Sequence, residues 1–594
     1  MANRLIKLTS VFLTTIMILL ALAACNNSAN NETDGSDTSE TNDSTNTSDQ
    51  LDLSMFPENA FPIFDGNAYT LKVVCSDTAN EAERSVAAKF RATLKGITKA
   101  SLSPSTDFLM KGESFNSNTY EILVGETKHE ESVAVYKDIP YNNYGIKVIG
   151  KKMVFYFSSI AEGEELISLF ISAIRTEKGG VLWVPDTMSA SKTSSIQLIN
   201  IPKYPALSLT NVDCEGDTSM VVAKNTNLAT FNEYCTTLVN NGYAEYSKRD
   251  VEGNSFRAFT KGNNMVYTYF SAGTKQTRII VGPIKDLPSK EIDTTPETVT
   301  PSISFVAQSN STGNGLALIY QLPNGKFIIA DGGYYLSDKI YKKLKELQPD
   351  TSKITIAAWF VSHPHGDHQE TLEKFIAQHG NEIAIESIFF NYINYSYYDN
   401  LTEEHEESNK EGHSVSRLNN LILTKLPRST KIIKPHTGQV YNFGESTQVE
   451  ILYTIEDYLP TTLDRINTSS MIIRITVDGT STMILADATS VTNSVVLKMY
   501  DSHLKSDIVT LAHHGIWVDT PEMYKKVDAK VLLWPSNTTE ANNYYNQTYS
   551  KPAIQAALDA ATDVYLAMGT DNRFELPYTF KNNKEAFMGN ILNQ

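Results

Sequence analysis

Hydrophobic and polar positions divide the chain into six stretches. Residues 8–22 are mostly apolar, with Thr and Ser scattered among them, whereas 26–50 hold almost only Asn, Ser, Thr, Asp, Glu and Gly. From Tyr69 the pattern turns to short β-type runs separated by helical spacing. Tyr69–Val74, Tyr120–Gly125 and the pair Tyr144–Ile149 and Lys152–Phe157 predict strands, the last two joined at Gly150-Lys151. Apolar residues at helical spacing predict helices over Ala79–Leu94 and Glu162–Arg175. A second small unit follows, with a helix over Asn227–Gly242 and strands at Phe256–Thr260, Met265–Ser271 and Gln276–Val281. Pro283, Pro288, Pro296 and Pro301 then punctuate a linker. Beyond it come the strands Gly315–Tyr320 and Lys326–Ala330 around the turn Pro323-Asn324-Gly325, and a helix over Asp338–Leu347. The apolar strand Ile354–Val361 runs into Ser362–His368, and a helix follows over Thr371–Gln378, with Gly380 past its end. Further strands are predicted at Thr482–Ala486 and Ile508–Leu511.

These breaks predict a signal segment over 1–24, a disordered tether over 25–50, an α/β accessory domain over 51–203, a small α+β domain over 204–285, a linker over 286–302 and a last domain over 303–594. Arg4 and Lys7 before the apolar run, and Leu22-Ala23-Ala24-Cys25 after it, have the order of a secretory signal. The run is shorter than the ~20 apolar residues a spanning helix needs. Leu-Ala-Ala-Cys resembles the bacterial lipobox, which implies lipidation of Cys25, membrane attachment and an extracytoplasmic location.

Composition narrows the partners. A formal net charge of −17 disfavours a broad nucleic-acid-gripping surface, and leaves nucleic acid only as a substrate held at a site. Four cysteines are too few for a disulfide scaffold; Cys214 and Cys235 could pair, or all could be free thiols.

The chemistry concentrates in His363-Pro364-His365-Gly366-Asp367-His368. Three imidazoles and a carboxylate within six residues are a ligand set for zinc, manganese or iron. The preceding strand and following helix place them at the C-terminal edge of a sheet, where α/β proteins build sites. No Gly-x-Ser-x-Gly string points to a serine nucleophile instead.

The spacing of these residues resembles the metallo-β-lactamase superfamily over about 300–594. The resemblance implies an αββα sandwich preceded by the two smaller α+β domains, and a set of roles. Asp331 supports the loop. His363, His365 and His436 hold one divalent ion, zinc first and manganese or iron as alternatives. Asp367, His368 and His514 hold a second, and Asp487 bridges both. Asp367 and His513 are the candidate catalytic residues, with His513 able to meet a substrate oxygen; His513 and His514 could exchange roles. His405 and His413 are weaker candidates for the place of His436. Asn467-Thr468-Ser469-Ser470-Met471, Leu485-Ala486-Asp487-Ala488 and Ala512-His513-His514-Gly515 resemble the branch of ComEC-type hydrolase domains and phosphorylcholine esterases, although that branch commonly has Gly where Ala486 stands. The strand order over 51–200 resembles the small non-catalytic domain preceding the barrel of hexosaminidases and α-glucuronidases, but no acidic pair or barrel follows and no sugar chemistry carries over; cell-wall glycan is a candidate partner of the first two domains.

Two cations about 3.5–4 Å apart lower the pKa of a shared water toward 7, which supports hydrolysis at neutral pH. The expected function is therefore a membrane-anchored metal-dependent hydrolase, first of all a phosphodiesterase. An ester, lactone or amide hydrolase with the same site, and a surface binding protein with a non-catalytic metal, are the alternatives. The aromatic run Phe389–Tyr398 reads either as a wall over the site or as a buried strand and loop, and Trp517 and Trp534 are open in the same way.

Overall fold

The computed structural model describes residues 53–589, apart from 78, 80, 140–142, 194–200, 207–208, 215–216, 309–313, 349–352, 393–405 and 457–464. The signal segment, Cys25, the tether, the Tyr-rich end of the aromatic run and His405 lie outside the described residues. No helix among the described residues is long and apolar enough to cross a membrane.

The first unit is a six-stranded sheet in the order Ser105–Thr106, Leu71–Cys75, Tyr120–Val124, Lys152–Tyr156, Asn143–Ile149, Ser189–Thr193. Helices Glu81–Thr98 and Ile160–Ala173 bury Val86, Phe90, Leu166 and Phe170 against it. The second of these helices starts on a capping box between Ser159 and Glu162, a pairing that satisfies two otherwise orphaned backbone N–H groups.

The second unit is a six-stranded antiparallel sheet, with three more strands than the periodicity predicts: Leu209–Asp213, Ser219–Lys224 and Ala244–Val251. Ala244–Val251 was missed for a physical reason. It is an edge strand, largely exposed, so its residues carry little apolar alternation. Alternate residues of this sheet face opposite ways. Val221, Phe259, Val266 and Ile279 pack beneath the helix Leu228–Asn240. Met220, Phe256, Tyr267, Tyr269 and Ile280 instead join the core of the C-terminal half. Gly438 lies so close to Phe256 that a Cβ there would meet its ring at 2.1 Å. The segment 286–302 is held in place as well. Asp286 accepts from the Lys434 backbone N–H, and Glu297 from Ser446.

The C-terminal half contains two sheets. One runs Lys431–Ile433, Ser387–Phe389, Thr355–Phe360, Phe327–Ala330, Leu318–Gln321, Ser302–Phe305, Asn572–Glu575. The other runs Val440–Asn442, Thr447–Tyr453, Ile472–Val477, Thr480–Ile484, Ile508–Thr510, Val531–Trp534, Asp563–Leu566. Leu318, Tyr320, Ile328 and Phe360 from the first sheet share one core with Val449, Ile473, Ile484 and Leu533 from the second. The residues between them in sequence, such as Ile319, Ile329, Trp359 and Leu532, face away and pack in a separate core with the helices, through Ile340, Leu372, Val496 and Tyr524. The central strands are thus buried on both faces, which explains why they read as continuous apolar runs.

Candidate metal centre

Every loop carrying a candidate ligand leaves one of these sheets at the same edge. Asp331 follows Phe327–Ala330, the His cluster follows Thr355–Phe360, Asp487 follows Thr480–Ile484, and His513-His514 follows Ile508–Thr510. The helix over the cluster begins at Gly366, earlier than the periodicity indicates, so Asp367 and His368 sit in its first turn.

The side chains converge into two groups: His363, His365 and Asp487, and Asp367, His368, Asp487 and His514. In the first, His363 Nε2 lies 3.0 Å from His365 Nδ1 and 3.6 Å from Asp487 Oδ2. In the second, His368 Nε2 is 3.1 Å from Asp487 Oδ1, and His514 Nε2 is 2.9 Å from Asp367 Oδ2 and 3.5 Å from Asp487 Oδ1. Asp487 is 2% exposed and turns one oxygen toward each group. Asp367, with 29% of its side chain exposed, is the carboxylate of the cluster that opens to solvent.

The far nitrogen of each of three imidazoles is already engaged. Ser362 Oγ and Ser470 Oγ stand 3.0 and 3.3 Å from His363 Nδ1. Asp331 Oδ2 is 2.8 Å from His368 Nδ1, and the Pro535 carbonyl is 3.1 Å from His514 Nδ1. A partner on Nδ1 orients the ring and leaves the Nε2 lone pair for the centre. Asp331 also accepts from the Ser362 backbone N–H at 2.7 Å and from its hydroxyl at 2.9 Å. Asp331, Ala486, His513 and His514 all have left-handed backbones, with φ of 52, 47, 47 and 56°. Such conformations are costly for residues other than glycine and persist where surrounding packing imposes them, as at functional sites. Here the packing is visible. Trp534 Nε1 donates to the His514 carbonyl, and a Cβ on Gly515 would meet the same atom at 2.9 Å.

Burial disfavours charge throughout the cluster, but the opposite charges outweigh it. Asp487, Asp331 and Asp367 raise the pKa of His368, and Asp487 and Asp367 push His514 up to about 9. Asp487 is held well below the usual carboxylate range against its burial by His368, His514 and His513. His363 is driven the other way, downward, by burial and by the neighbouring His368.

The donor set fits two divalent ions. Four imidazoles and two carboxylates meet in a buried space, and the buried Asp487 Oδ1 faces the His368 and His514 Nε2 atoms at 3.1 and 3.5 Å without a well-formed hydrogen bond. A buried carboxylate oxygen in that state costs free energy unless a cation meets it.

His436 departs from the expected wiring: it is not brought into either group. It follows Lys431–Ile433, two strands along from Thr355–Phe360, a lateral step of about 10 Å at normal strand spacing. There it stacks on Tyr267 at 5.8 Å, with Nδ1 3.5 Å from Glu456. The first group therefore has three protein donors. His413 falls within the helix Glu406–Lys425, in a stretch that reads as a loop from its charges. The order of the last two histidines is also decided: His514 joins the ligand group, while His513 Nε2 lies 3.2 Å from Asn467 Nδ2 and 3.9 Å from Asp487 Oδ2.

Ser362, Ser470 and Asn467 were given no role by sequence reasoning. Asn467 and Ser470 lie in the Asn-Thr-Ser-Ser-Met string, which points to a resemblance and not to a contact, and Ser362 directly precedes the His cluster. Of the aromatic candidates, Phe389, Tyr392 and Trp534 are core residues, and Trp517 is exposed. Cys75, Cys214 and Cys235 form no disulfide among the described residues.

Asp331 gives the first prediction. Asp331→Ala removes the partner of His368 Nδ1, so zinc affinity should fall about 10–100-fold. Competition with a chromophoric chelator measures it; unchanged affinity would remove Asp331 from the supporting role.

Fold and site together define a mixed α/β protein whose C-terminal half packs two sheets face to face, with a His/Asp cluster that fits a metal site on the loops after their strands. No protein-family model matches the chain, and no curated protein does. Among solved structures, the chain is similar to a Parabacteroides distasonis protein assigned as a metal-dependent hydrolase, at 12% identity and a TM-score of 0.23, over 55% of this chain and 100% of that one. It is similar to human tRNase Z, short form, at 13% identity and a TM-score of 0.26, over 46% and 99%. Zinc-bound PqqB from Methylobacterium extorquens is similar at 8% identity and a TM-score of 0.26, over 46% and 100%.

Proposed function

We propose that this chain is a metal-dependent hydrolase of the metallo-β-lactamase type that cleaves phosphodiesters outside the cell, attached to the membrane through a lipid on Cys25. The observation that carries the hydrolase reading is the division of Asp487 between two donor groups. His363, His365 and Asp487 would hold one ion; Asp367, His368, His514 and Asp487 the other. Two divalent ions there would supply a water-derived nucleophile at neutral pH and charge to stabilise the transition state. Three protein donors in the first group leave room for further ligands, as catalytic sites do and structural sites do not.

The chain's own residues set the rest. Asp331, Ser362, Ser470 and the Pro535 carbonyl hold the imidazoles in position. His513, on the Asn467 side of Asp487, is placed to hydrogen-bond a substrate oxygen. That contact joins two of the strings that resemble the phosphoesterase branch, which supports a phosphodiester over a lactone or amide.

The test uses the full chain loaded with zinc or manganese and bis(4-nitrophenyl) phosphate. Turnover should appear, stop with EDTA and return with added metal. Metal-loaded protein without turnover would sink the phosphodiester reading and bring forward carboxylic esters and lactones.

A further inference from the structure

We infer that Trp517 is a stacking platform beside the metal centre, and that the substrate carries a flat aromatic or heterocyclic ring next to its scissile ester. Trp517 is 67% exposed, whereas Trp359 and Trp534 are fully buried. Its ring centroid lies 6.0 Å from that of His513, with the planes 65° apart. His513 in turn is 3.9 Å from Asp487. The indole therefore stands at the mouth of the site.

Its exposure is built in. The loop from His513 to Trp517 takes left-handed backbone at His513, His514, Gly515 and Trp517, with φ of 47, 56, 98 and 49°. The buried Trp534 clamps this loop from below through the His514 carbonyl and the face of Gly515. Val518, the next residue, is buried at 4% exposure and anchors the far side. The turn thus holds a large apolar ring out in water at the expense of a strained conformation. An arrangement costly on both counts is expected where the ring has a ligand to meet.

The geometry favours a flat ring over an organic cation. Cations such as quaternary ammonium groups are held in cages of several aromatic faces. Among the described residues His513 is the one ring against Trp517, and it stands edge-on. A single open indole face suits offset stacking, which every heterocyclic base can supply.

The inference deepens the phosphodiesterase reading and relies on it for the choice of substrates. Two substrates share the 4-nitrophenolate leaving group: thymidine 5′-(4-nitrophenyl phosphate) and methyl 4-nitrophenyl phosphate. In the full-length, metal-loaded protein, Trp517→Ala should raise KM for the thymidine ester about 10-fold or more with kcat little changed, and leave the methyl ester within about twofold. Trp517→Phe, which keeps a ring, should restore most of the difference. No change for either substrate, or a change that Trp517→Phe does not restore, would overturn the inference; a rise for both that Trp517→Phe restores would put the 4-nitrophenyl ring they share on the indole. A second readout needs no turnover. Thymidine 5′-monophosphate should quench the tryptophan emission of the wild type and not of Trp517→Phe. Quenching without turnover would leave the platform standing and remove the reaction class; no quenching would remove the platform whatever the activity.

Discussion

Asp487→Ala should lower turnover of bis(4-nitrophenyl) phosphate by about 10³-fold or more, the equivalent of about 4 kcal/mol of transition-state stabilisation. Asp487 is the one residue that belongs to both donor groups, through Oδ2 near His363 and Oδ1 near His368 and His514. Its loss damages both sites together, whereas a variant of His365 or His514 damages one. Metal content by elemental analysis should fall from about two ions per chain toward one or none, while circular dichroism stays that of a folded protein. A folded variant that keeps both metals and its turnover would remove Asp487 from the bridging place.

The second large effect is on stability, at the seam between the second unit and the C-terminal half. Glu450 is buried and bonds Arg249 of the second unit, Arg474 of its own sheet, and His503 at 2.9 Å. Burial alone would raise its pKa; His503 and the two guanidiniums reverse this and bring it down to about 2. The folded value lies below the ~4.3 of an unfolded glutamate, so the stabilisation is full above about pH 4.5 and is lost as pH falls from there toward 2. Its size at neutral pH is about 3 kcal/mol, in line with the cost of leaving buried cations without their carboxylate. Urea unfolding of Glu450→Gln at pH 7 should show that loss, and the gap from wild type should shrink by half or more by pH 3. A gap that is small at pH 7, or constant with pH, would show that the apolar core of the seam holds it without this network.

The candidate site was legible because its ligands lie in strings short enough to survive as sequence. His363, His365, Asp367 and His368 are fixed relative to one another by one strand end and one helix start, so spacing alone predicted their convergence. Asp487 and the His513-His514 pair enter through the resemblance, and each follows a strand whose end lies at the sheet edge. His436 satisfied the same rule and still fell outside the group. The rule fixes the edge and says nothing of the distance along it, which strand order decides. His513 and His514 posed the same difficulty in miniature, since a left-handed turn sends two neighbouring imidazoles in different directions.

The second unit shows where periodicity stops informing. The periodicity predicts three of its buried strands but neither the buried Ser219–Lys224 nor the exposed edge strand Ala244–Val251, and nothing in the chain indicates that Met220, Phe256 and Tyr267 face the C-terminal half while Val221 and Phe259 face a helix of their own unit. Both sets are simply apolar residues in sequence. Local pattern fixes which residues are buried, because alternation and helical spacing are properties of neighbours in the chain. It cannot say against what they are buried. That depends on contacts between residues hundreds of positions apart. By itself the sequence therefore determined the strand ends and the helix start that carry the candidate ligands, and the ligand types. Tertiary structure alone decided that Asp487 faces both donor groups, that His436 faces neither, and that Trp517 stands in solvent while Trp534 supports the loop beneath it.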